Sequence, residues 1–313
     1  MNKKFTLVGA AGYIAERHIR AIKETQNNII AATDQFDVMG RMDSFFPNAE
    51  FFLDYEKYEA FVASQQKTAH PIEYTSICSP NFLHAKHIQS ALNNQTFAIC
   101  EKPLVLYPEE IEAIEKTQRE TGKKVFNILQ LRLHPTIIAL REKVKKAPAD
   151  KIFDIDLTYI TSRGKWYYKS WKGDLKKSGG IATNIGIHFF DMLQWIFGEV
   201  QQSTVHLYDA NKAAGFLQLK NARVRWYLSL DYNDIPQEAK DKGMRTYRSI
   251  TVENEEIEFS GGFTDLHTQT YQHILNGNGF GLEDAKTCIL LTHDIRNTKP
   301  IGAVGDFHPM VKK

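Results

Sequence analysis

The first 130 residues of this 313-residue chain alternate between short apolar runs and amphipathic helical patterns. An apolar run that ends in glycine or a polar residue predicts a buried strand, whereas apolar residues three or four apart predict a helix. The predicted strands are residues 4–9, 29–33, 74–78, 97–100 and 125–129, and the predicted helices are 14–25, 55–65, 84–93 and 109–121. Strands and helices in alternation build a parallel sheet that is covered by helices on both faces.

After about residue 125 the pattern changes to a period of two. In residues 153–161 and 223–230 apolar and polar side chains alternate, as in strands with one buried face. Further strands are predicted at 203–208, 216–220, 247–252 and 256–259. The sequence therefore predicts an α/β protein of two domains. Residues 1–125 carry the parallel sheet, and residues 126–313 form an α+β domain with a largely antiparallel open sheet.

The composition is that of an ordinary globular protein, with 42% hydrophobic and 24% charged residues. A net charge of +2 does not indicate a positively charged surface for nucleic acid or an anionic membrane, so we expect neither as a partner. No apolar stretch approaches the roughly 20 residues that cross a bilayer, and we identify no secretory signal before the first strand. Two of the three cysteines, Cys78 and Cys100, lie in apolar runs, which favours a reducing cytoplasm.

A glycine turn, Gly-Ala-Ala-Gly-Tyr-Ile-Ala at residues 9–15, joins the first predicted strand to the first predicted helix. Small residues here let the backbone approach a pyrophosphate, and the helix N-terminus attracts its negative charge. The spacing departs from the usual Gly-x-Gly-x-x-Gly, so a simple glycine turn is the alternative.

Asp34 lies at the end of the second predicted strand, 22 positions after Gly12. A carboxylate at about this spacing binds the ribose hydroxyls of a dinucleotide and repels a 2′-phosphate, which favours NAD over NADP. The alternatives are that Asp34 caps a turn, and that the nearby Arg41 accommodates the phosphate of NADP. The strand–helix–strand context favours dinucleotide binding.

Two polar segments each follow a predicted strand directly. One is Ser79-Pro80-Asn81 with His84 after it, and the other is Glu101-Lys102-Pro103. Ligands bind beyond the carboxyl ends of parallel strands, so both segments belong at the cofactor edge. A lysine side chain is normally solvated, but the position of Lys102 directly after an apolar run predicts an ammonium group that is held in place.

These motifs, together with Gly179-Gly180 and Gly186-x-His188-x-x-Asp191, resemble the Gfo/Idh/MocA oxidoreductase family over the whole chain. The resemblance implies an N-terminal Rossmann domain that binds NAD, with Lys102 and His188 as catalytic residues beside the nicotinamide and the oxidised carbon. It also implies a set of cofactor-binding residues. These are Gly9, Ala11, Gly12, Tyr13, Ile14, Asp34, Ser79, Asn81, His84, Glu101 and Lys102. We expect no metal ion in the site.

Within this family the chain is similar to the UDP-N-acetyl-2-amino-2-deoxy-D-glucuronate 3-dehydrogenases. Segments 130–135, 163–167, 170–173 and 183–188 carry the resemblance, including Asn184 where the wider family commonly has Asp. It implies oxidation of the C-3 hydroxyl of a UDP-linked N-acetylglucosaminuronic acid for a surface polysaccharide. The substrate-binding residues that it implies are Gln130, Arg132, Arg163, Trp166, Trp171, Asn184 and His188.

The predicted catalytic pair also fits the chemistry of alcohol oxidation. A hydride leaves the carbon while a base accepts the hydroxyl proton; histidine has a suitable pKa, and lysine can share the proton or polarise the developing carbonyl. If the segment is helical, Asn184 and His188 share a face, and Asp191 is placed to orient the imidazole. The alternative for His188 is a core histidine beside two phenylalanines.

Cationic and aromatic residues are interleaved in segment 163–172. Its members are Arg163, Lys165, Trp166, Tyr167, Tyr168, Trp171 and Lys172. This mixture suits a sugar face together with carboxylate and phosphate groups. It equally suits a subunit contact, and we expect a homo-oligomer, either a dimer or a tetramer.

Three functions are compatible with these residues. They are a nucleotide-sugar 3-dehydrogenase, a dehydrogenase of a free sugar or inositol, and a non-catalytic NAD-binding sensor. The sensor is disfavoured because it has no need for Lys102 and His188 together. Since oxidation of an alcohol by NAD is uphill near neutral pH, the hydride needs a sink. Some enzymes that the chain resembles discharge it onto 2-oxoglutarate, which we predict as a second substrate with Arg163 binding a carboxylate.

Overall fold

A computed structural model of the chain describes residues 2–37, 39–257 and 265–312. It separates into two compact units. Unit 1 comprises Met1–Gln130 with Thr264–Lys286, and unit 2 comprises Leu131–Phe263 with Thr287–Lys313. The division at residue 125 that the sequence predicts does not assign residues 264–286 to unit 1. The functional roles given to the two domains remain predictions.

Unit 1 is built on a six-stranded sheet in the order β3-β2-β1-β4-β5-β6. Its strands are β1 Lys4–Val8, β2 Asn28–Thr33, β3 Glu50–Phe52, β4 Tyr74–Ile77, β5 Phe97–Cys100 and β6 Val125–Asn127. Every neighbouring pair is parallel, which confirms the predicted parallel sheet. In a doubly wound sheet of this order, ligands bind where the order reverses, at the carboxyl ends of β1 and β4.

The helices predicted in the first 130 residues are confirmed as α1, α3, α4 and α5, each within one residue of its predicted ends. The α-helices of the described residues are α1 Ala15–Glu24, α2 Met39–Phe45, α3 Tyr55–Gln65, α4 His84–Asn93, α5 Pro108–Thr121, α6 Pro135–Lys146, α7 Lys165–Lys169, α8 Leu175–Ser178, α9 Ile187–Phe197, α10 Gln237–Asp241, α11 Leu266–Leu275 and α12 Leu282–Asn297. Local chemistry sets several of these ends. Asp54 accepts two backbone N–H groups at the start of α3, and Gly122 ends α5 with a φ of +69°. Among the helices of the described ranges, none combines the length and the apolar character needed to cross a bilayer.

Unit 2 contains a second six-stranded sheet in the order β12-β11-β7-β10-β9-β8. Its strands are β7 Phe153–Thr161, β8 Val200–Tyr208, β9 Lys212–Leu219, β10 Ala222–Ser229, β11 Thr246–Val252 and β12 Glu255–Glu256. Only the pair β7–β10 is parallel, which confirms a largely antiparallel sheet. The strand predicted at 256–259 is observed at Glu256, while residues 258 and 259 lie outside the described residues.

Each unit has its own apolar core. In unit 2, Trp226 and Phe190 are fully buried with ring centroids 5.2 Å apart. Gly215, opposite Trp226 on β9, provides the space, since a Cβ there would lie 2.6 Å from the indole. Replacing a buried aromatic side chain such as Trp226 or Phe190 by alanine lowers the free energy of unfolding by about 3–5 kcal/mol. In unit 1, Tyr271 and Ile274 of α11 join the core that α1 and β1 form.

Candidate cofactor and substrate sites

The glycine turn between β1 and α1 lies directly against the segment that follows β4. Gly9 has a φ of +86°, and a Cβ on it would lie 2.5 Å from the Ser79 backbone nitrogen. Glycine is required here for both the left-handed backbone and the close approach. The N–H of Gly12 donates to the Gly9 carbonyl at 3.0 Å and closes the turn. Two of the predicted motifs are therefore brought together.

Asp34 holds the same turn from the end of β2. Its Oδ2 accepts the N–H of Ala11 at 2.9 Å, and its Oδ1 accepts the N–H of Phe36 at 3.1 Å. The Arg41 guanidinium donates to two carbonyl oxygens of the turn, at 3.0 and 3.1 Å. Asp34 therefore caps the turn, as the alternative interpretation has it, and also presents a half-buried carboxylate beside it. Because Arg41 is engaged by backbone carbonyls, less of it is available to a phosphate.

The N-terminus of α1 begins within the turn. Ile14 is its N-cap and forms no side-chain cap, and Tyr13 before it is exposed. The N–H groups at the start of α1 donate no hydrogen bond to a capping side chain, and such a helix end suits a phosphate.

The segment after β4 is buried and hydrogen-bonded. Ser79 Oγ lies 2.8 Å from Nδ1 of His87, and buried Asn81 begins a short 3₁₀ turn. The His84 ring lies between the carbonyl oxygens of Ser79 and Pro103, at 2.8 and 2.7 Å. Burial lowers the pKa of His84 more than these carbonyls raise it. Both carbonyl oxygens are acceptors only, so a ring that bonds both carries a proton on each nitrogen, whereas a neutral ring bonds only one of them.

The backbone of Lys102, directly after β5, is held from two directions. Its N–H donates to Oε2 of Glu101 at 3.1 Å. The Asn127 side chain donates to the carbonyl oxygens of Cys100 and Glu101, at 2.9 and 3.2 Å. Lys102 itself is half-buried. The side chain of Lys102 therefore extends from a backbone segment that hydrogen bonds hold in place. Its catalytic role stays a prediction.

The Glu101 carboxylate points into the interior of unit 1. Its Oε1 accepts from Nε2 of His18 at 2.9 Å and from Nε2 of His267 at 3.0 Å. Burial raises the pKa of Glu101, but the bonds from the two histidines outweigh burial and place the pKa well below its ordinary value. Both oxygens of the ionised carboxylate already accept N–H groups of the protein, whereas the sequence predicts a contact of Glu101 with the cofactor.

In unit 2, two glycines precede the helix that carries His188. Gly179 and Gly180 have φ values of +79° and +74°, and a Cβ on Gly180 would meet the Tyr208 hydroxyl. Residues Ala182–Gly186 then form a π-helix that leads into α9. Short π-helical turns are rare and often occur at functional sites. His188 is half-buried in the first turn of α9.

The structure places Asn184 and His188 in consecutive helices of different type. Asn184 lies in the π-helix and His188 in the first turn of α9, whereas the sequence argument assumes one α-helix. A shared face for the two side chains stays a prediction. The Asn184 side chain donates to the Tyr167 hydroxyl at 2.8 Å.

Arg132 and Asp191 form a buried ion pair in unit 2. Nε and Nη2 of Arg132 donate to the two carboxylate oxygens, at 3.1 and 2.7 Å. The sequence assigns Asp191 to the orientation of His188 and Arg132 to the substrate. Both Asp191 oxygens accept from Arg132 in a bidentate geometry, and each keeps a second lone pair. The orientation of His188 by Asp191 therefore stays a prediction.

Cations lie over aromatic rings in residues 163–173. Nζ of Lys172 lies 5.4 Å from the ring centre of Trp166 and 5.7 Å from that of Trp171, and the Arg163 guanidinium lies 6.0 Å from the Tyr167 ring. Burial lowers the pKa of Lys172, and the charge of Arg163 lowers it further. Trp166 is 58% exposed and open to a ligand or to another protein.

The sequence does not predict four residues that the structure places at these sites: His18, Asn127, His267 and Tyr271. Only His18 carries a signal, because a histidine on the apolar side of α1 needs a buried partner. The other three follow from long-range contacts that no local spacing reveals.

The residues of unit 1 fit a dinucleotide. Gly9 has no space for a side chain, the N-terminus of α1 has no side-chain cap, and the Asp34 carboxylate lies beside the turn. In a parallel sheet of the observed order, these features define a dinucleotide-binding protein.

The chain belongs to the Gfo/Idh/MocA oxidoreductase family. Residues 3–128 match the family model described as the oxidoreductase family, NAD-binding Rossmann fold, and residues 150–235 match its C-terminal alpha/beta domain. The predicted family, the Rossmann domain and the NAD cofactor are confirmed, and the protein is an NAD-binding oxidoreductase.

Two solved structures of the WlbA (WbpB) dehydrogenase from Thermus thermophilus are similar to this chain. One is a complex with NAD and alpha-ketoglutarate and has a TM-score of 0.95, and the other is a complex with NAD and UDP-GlcNAcA and has a TM-score of 0.94. Both are 46% identical to this chain and cover 98% of it and 99% of their own length.

Curated relatives are more distant. Inositol 2-dehydrogenase of Rhizobium meliloti is 28% identical over 200 residues, which are 64% of this chain and 56% of the relative. Glucose-6-phosphate 3-dehydrogenase of Bacillus subtilis is 25% identical over 198 residues, which are 62% and 54%. The chain thus spans about half the length of these curated relatives.

Proposed function

We propose that this protein is an NAD-dependent sugar dehydrogenase that oxidises the C-3 hydroxyl of a UDP-linked N-acetylglucosaminuronic acid, as a step towards a surface polysaccharide. One observation carries the proposal: the chain is 46% identical, over 98% of its length, to a dehydrogenase solved with NAD and UDP-GlcNAcA. The cationic and aromatic residues of segment 163–173 add support, because arginine and lysine suit the carboxylate and diphosphate of such a sugar. Arg163, Lys165 and Trp166 among them are exposed.

Bound NAD supplies the chemistry of a two-electron carrier, which takes a hydride from an alcohol carbon and can give it to a keto acid. In our proposal Lys102 and His188 handle the proton. As the C–H and O–H bonds break and the carbonyl forms, one of them accepts the hydroxyl proton and the other donates to the developing carbonyl oxygen.

The proposed substrate contacts come from the predicted set, with one member weakened. Oε1 of Gln130 is buried and has no hydrogen-bond partner among the described residues, so it can accept from a ligand. Arg163, Trp166 and Trp171 would bind the charged and apolar parts of the sugar nucleotide, and Asn184 its hydroxyl groups. Arg132 is the weakest member, because its guanidinium already binds Asp191.

The proposal includes 2-oxoglutarate as the hydride sink. The keto carbon is reduced, its oxygen takes a proton from Lys102 or His188, and a 2-hydroxy acid leaves. The similar dehydrogenase solved with NAD and alpha-ketoglutarate supports this half of the cycle. Arg163 is our candidate for binding one of the two carboxylates of the keto acid.

A dehydrogenase of inositol or of a free sugar is the second candidate. The 28% identity to an inositol 2-dehydrogenase favours it over a non-catalytic sensor. It differs from the first candidate in needing neither the nucleotide nor the carboxylate of the substrate.

The test uses the purified full-length protein and the absorbance of reduced nicotinamide. We expect the UDP-sugar acid to reduce bound NAD and 2-oxoglutarate to oxidise it again. UDP-GlcNAc, which lacks the carboxylate, and myo-inositol serve as comparison substrates. Faster turnover of myo-inositol would favour the second candidate. Turnover that requires added free NAD and ignores 2-oxoglutarate would contradict the recycling step alone.

The cytoplasmic location and the homo-oligomer, a dimer or a tetramer, stay predictions from the sequence. Sedimentation of the purified protein measures the second directly.

A further inference from the structure

A buried cluster in unit 1 joins three segments of the chain next to Lys102. Glu101, after β5, lies within hydrogen-bond distance of His18 in α1 and His267 in α11, and the two imidazole rings are 5.2 Å apart. The exposed fractions of the three residues are 5%, 0% and 4%. A charge buried to this extent is costly unless it is fully hydrogen-bonded. The proposed chemistry itself uses none of these three side chains.

The hydrogen bonds around His18 indicate a neutral ring that donates to Glu101. The Tyr271 hydroxyl lies 2.7 Å from Nδ1 of His18 and 2.6 Å from Oγ of Ser76. Burial raises the pKa of Tyr271 well above its ordinary value and lowers the pKa of His18. Tyr271 therefore keeps its proton and donates to Nδ1, which leaves the single N–H of the neutral ring for Glu101.

His267 completes the cluster in the same way. Its Nδ1 is buried and has no partner in the described part of the chain. A buried nitrogen without a partner costs less free energy as an unprotonated acceptor than as an N–H donor, because buried N–H groups without an acceptor are rarer in proteins. The proton then lies on Nε2, which is 3.0 Å from Oε1 of Glu101.

These donor types also occur at metal sites, but the distances are those of hydrogen bonds. Two ligand atoms that each lie about 2.0–2.1 Å from one zinc ion stand about 3.3 Å apart in a tetrahedral site. The nitrogen–oxygen separations here are 2.9 and 3.0 Å, the ordinary range for N–H···O.

We propose that the His18–Glu101–His267 cluster is a positioning assembly for Lys102. The two histidines hold Oε1, so that Oε2 accepts the Lys102 N–H at 3.1 Å and fixes the backbone from which the lysine side chain extends, two residues after β5. Catalytic groups must be held to about 0.5 Å by the residues behind them. The catalytic consequence rests on the proposed function, whereas the geometry does not.

Glu101→Gln is the sharpest test. The carboxylate accepts three N–H groups on two oxygens, whereas an amide has one oxygen, so its NH₂ must face either the Lys102 N–H or the histidines. We expect the Lys102 amide to exchange with solvent roughly tenfold faster or more, measured by NMR with isotope-labelled lysine. Tyr58→Phe is the matched control, because it removes another buried bond of unit 1, to Thr6. It should leave this exchange rate unchanged.

His267→Gln keeps Glu101 and His18, and it tests whether His267 acts on Lys102 through Glu101. We expect kcat to fall roughly tenfold, while the NAD dissociation constant and the sugar KM stay within about threefold. In the Glu101→Gln background the same change should cost nothing further, as a double-mutant cycle would measure. Additive losses, an unchanged Lys102 exchange rate in Glu101→Gln, or a stoichiometric metal ion in the purified protein would overturn the inference.

The proposed function and the positioning role of the cluster can be contradicted independently. A protein that does not turn over the sugar contradicts the proposed function, while amide exchange at Lys102 is measured without substrate and still tests the cluster. Should Glu101→Gln not fold, His267→Gln provides the exchange measurement. We expect roughly a threefold increase there, and no increase would overturn the inference.

Discussion

The two oxygens of the Asp34 carboxylate each accept a backbone N–H group, one from the glycine turn and one from the segment after β2. Each oxygen has a further lone pair, so the same carboxylate can accept from the ribose hydroxyls of NAD. Capping the turn and selecting the cofactor are therefore compatible roles for one side chain.

Asp34→Ala should weaken NAD binding about 10-fold to 100-fold, because it removes hydrogen bonds to a charged acceptor, and should raise the relative use of NADP. Asp54→Ala is the control: Asp54 caps α3 in the same unit and should cost about 1 kcal/mol of stability without changing cofactor preference. Dissociation constants for both dinucleotides measure the effect. Equal use of NAD and NADP by the unmodified enzyme would contradict the assignment.

Lys102→Met and His188→Asn should each lower kcat about a hundredfold or more, because proton transfer or carbonyl polarisation is lost while bound NAD remains. Lys116→Met, at an exposed position on α5, and His293→Asn on α12 are matched controls that should retain the full rate. Titration of NAD by fluorescence separates lost chemistry from lost binding. Full activity in both variants would place the site elsewhere.

At the scale of elements, strong periodicity was sufficient for prediction and weak periodicity was not. The helix α4 and the strand β7 have the predicted bounds because each buries a regular face. In α3 only Tyr58 and Val62 are buried, and the Asp54 cap sets its start. The strand β3 has only three residues and no fully buried one, and the apolar run at residues 51–53 is too short to predict a strand. The sequence predicts a helix through Asn184 and His188, but no spacing in it distinguishes the π-helix Ala182–Gly186 from an α-helix.

The contacts within the sites show the same limit. The glycine turn, Asp34 and the segments after β4 and β5 follow from strand order, because the carboxyl ends of parallel strands meet at one edge. The pairs Arg132–Asp191 and His18–Glu101 join residues 59 and 83 positions apart. No local pattern encodes such a pairing, since the partner of each residue lies far away along the chain.

The hydrogen bond from Asn184 to Tyr167 links the π-helix to α7, and its removal should affect substrate more than cofactor. We expect Tyr167→Phe to cost about 1 kcal/mol of stability and to raise the KM of the UDP-sugar acid roughly tenfold. The NAD dissociation constant should not change. Tyr168→Phe, at the exposed neighbouring tyrosine, is the control. An unchanged KM would separate Asn184 from substrate binding.

For the molecule as a whole, buried histidines should make stability depend on pH. Burial lowers the pKa of His87 in unit 1 to about 3 and the pKa of His308 in unit 2 to about 4. The hydrogen bonds of His308 agree with a neutral ring, because its Nδ1 accepts the Met310 N–H. Both rings stay neutral in the folded chain at a pH where the unfolded chain protonates them.

The contribution of these rings is therefore complete above about pH 6.5, the ordinary pKa of histidine, and is lost as the pH falls. Each ring should lower the free energy of unfolding by about 1.4 kcal/mol per pH unit, until the pH reaches its folded pKa. Urea unfolding between pH 7 and pH 5 measures the slope. His87→Gln and His308→Gln should each reduce the slope by one proton, and a slope that neither variant changes would contradict this account.

The discontinuity of unit 1 has a consequence for the order in which the protein is made. A ribosome completes the first sheet early, but α11, with His267 and Tyr271, emerges only after the whole second sheet. Until then Glu101 has His18 but not His267 as a partner, and Phe5 lacks Tyr271, whose ring lies 5.9 Å from its own in the folded protein. The core of the first sheet therefore gains the contacts of Tyr271 and Ile274 only after the second sheet has been synthesised. A truncated messenger RNA that ends within the second sheet yields a cofactor domain without α11. Quality-control proteases can recognise and remove such a chain.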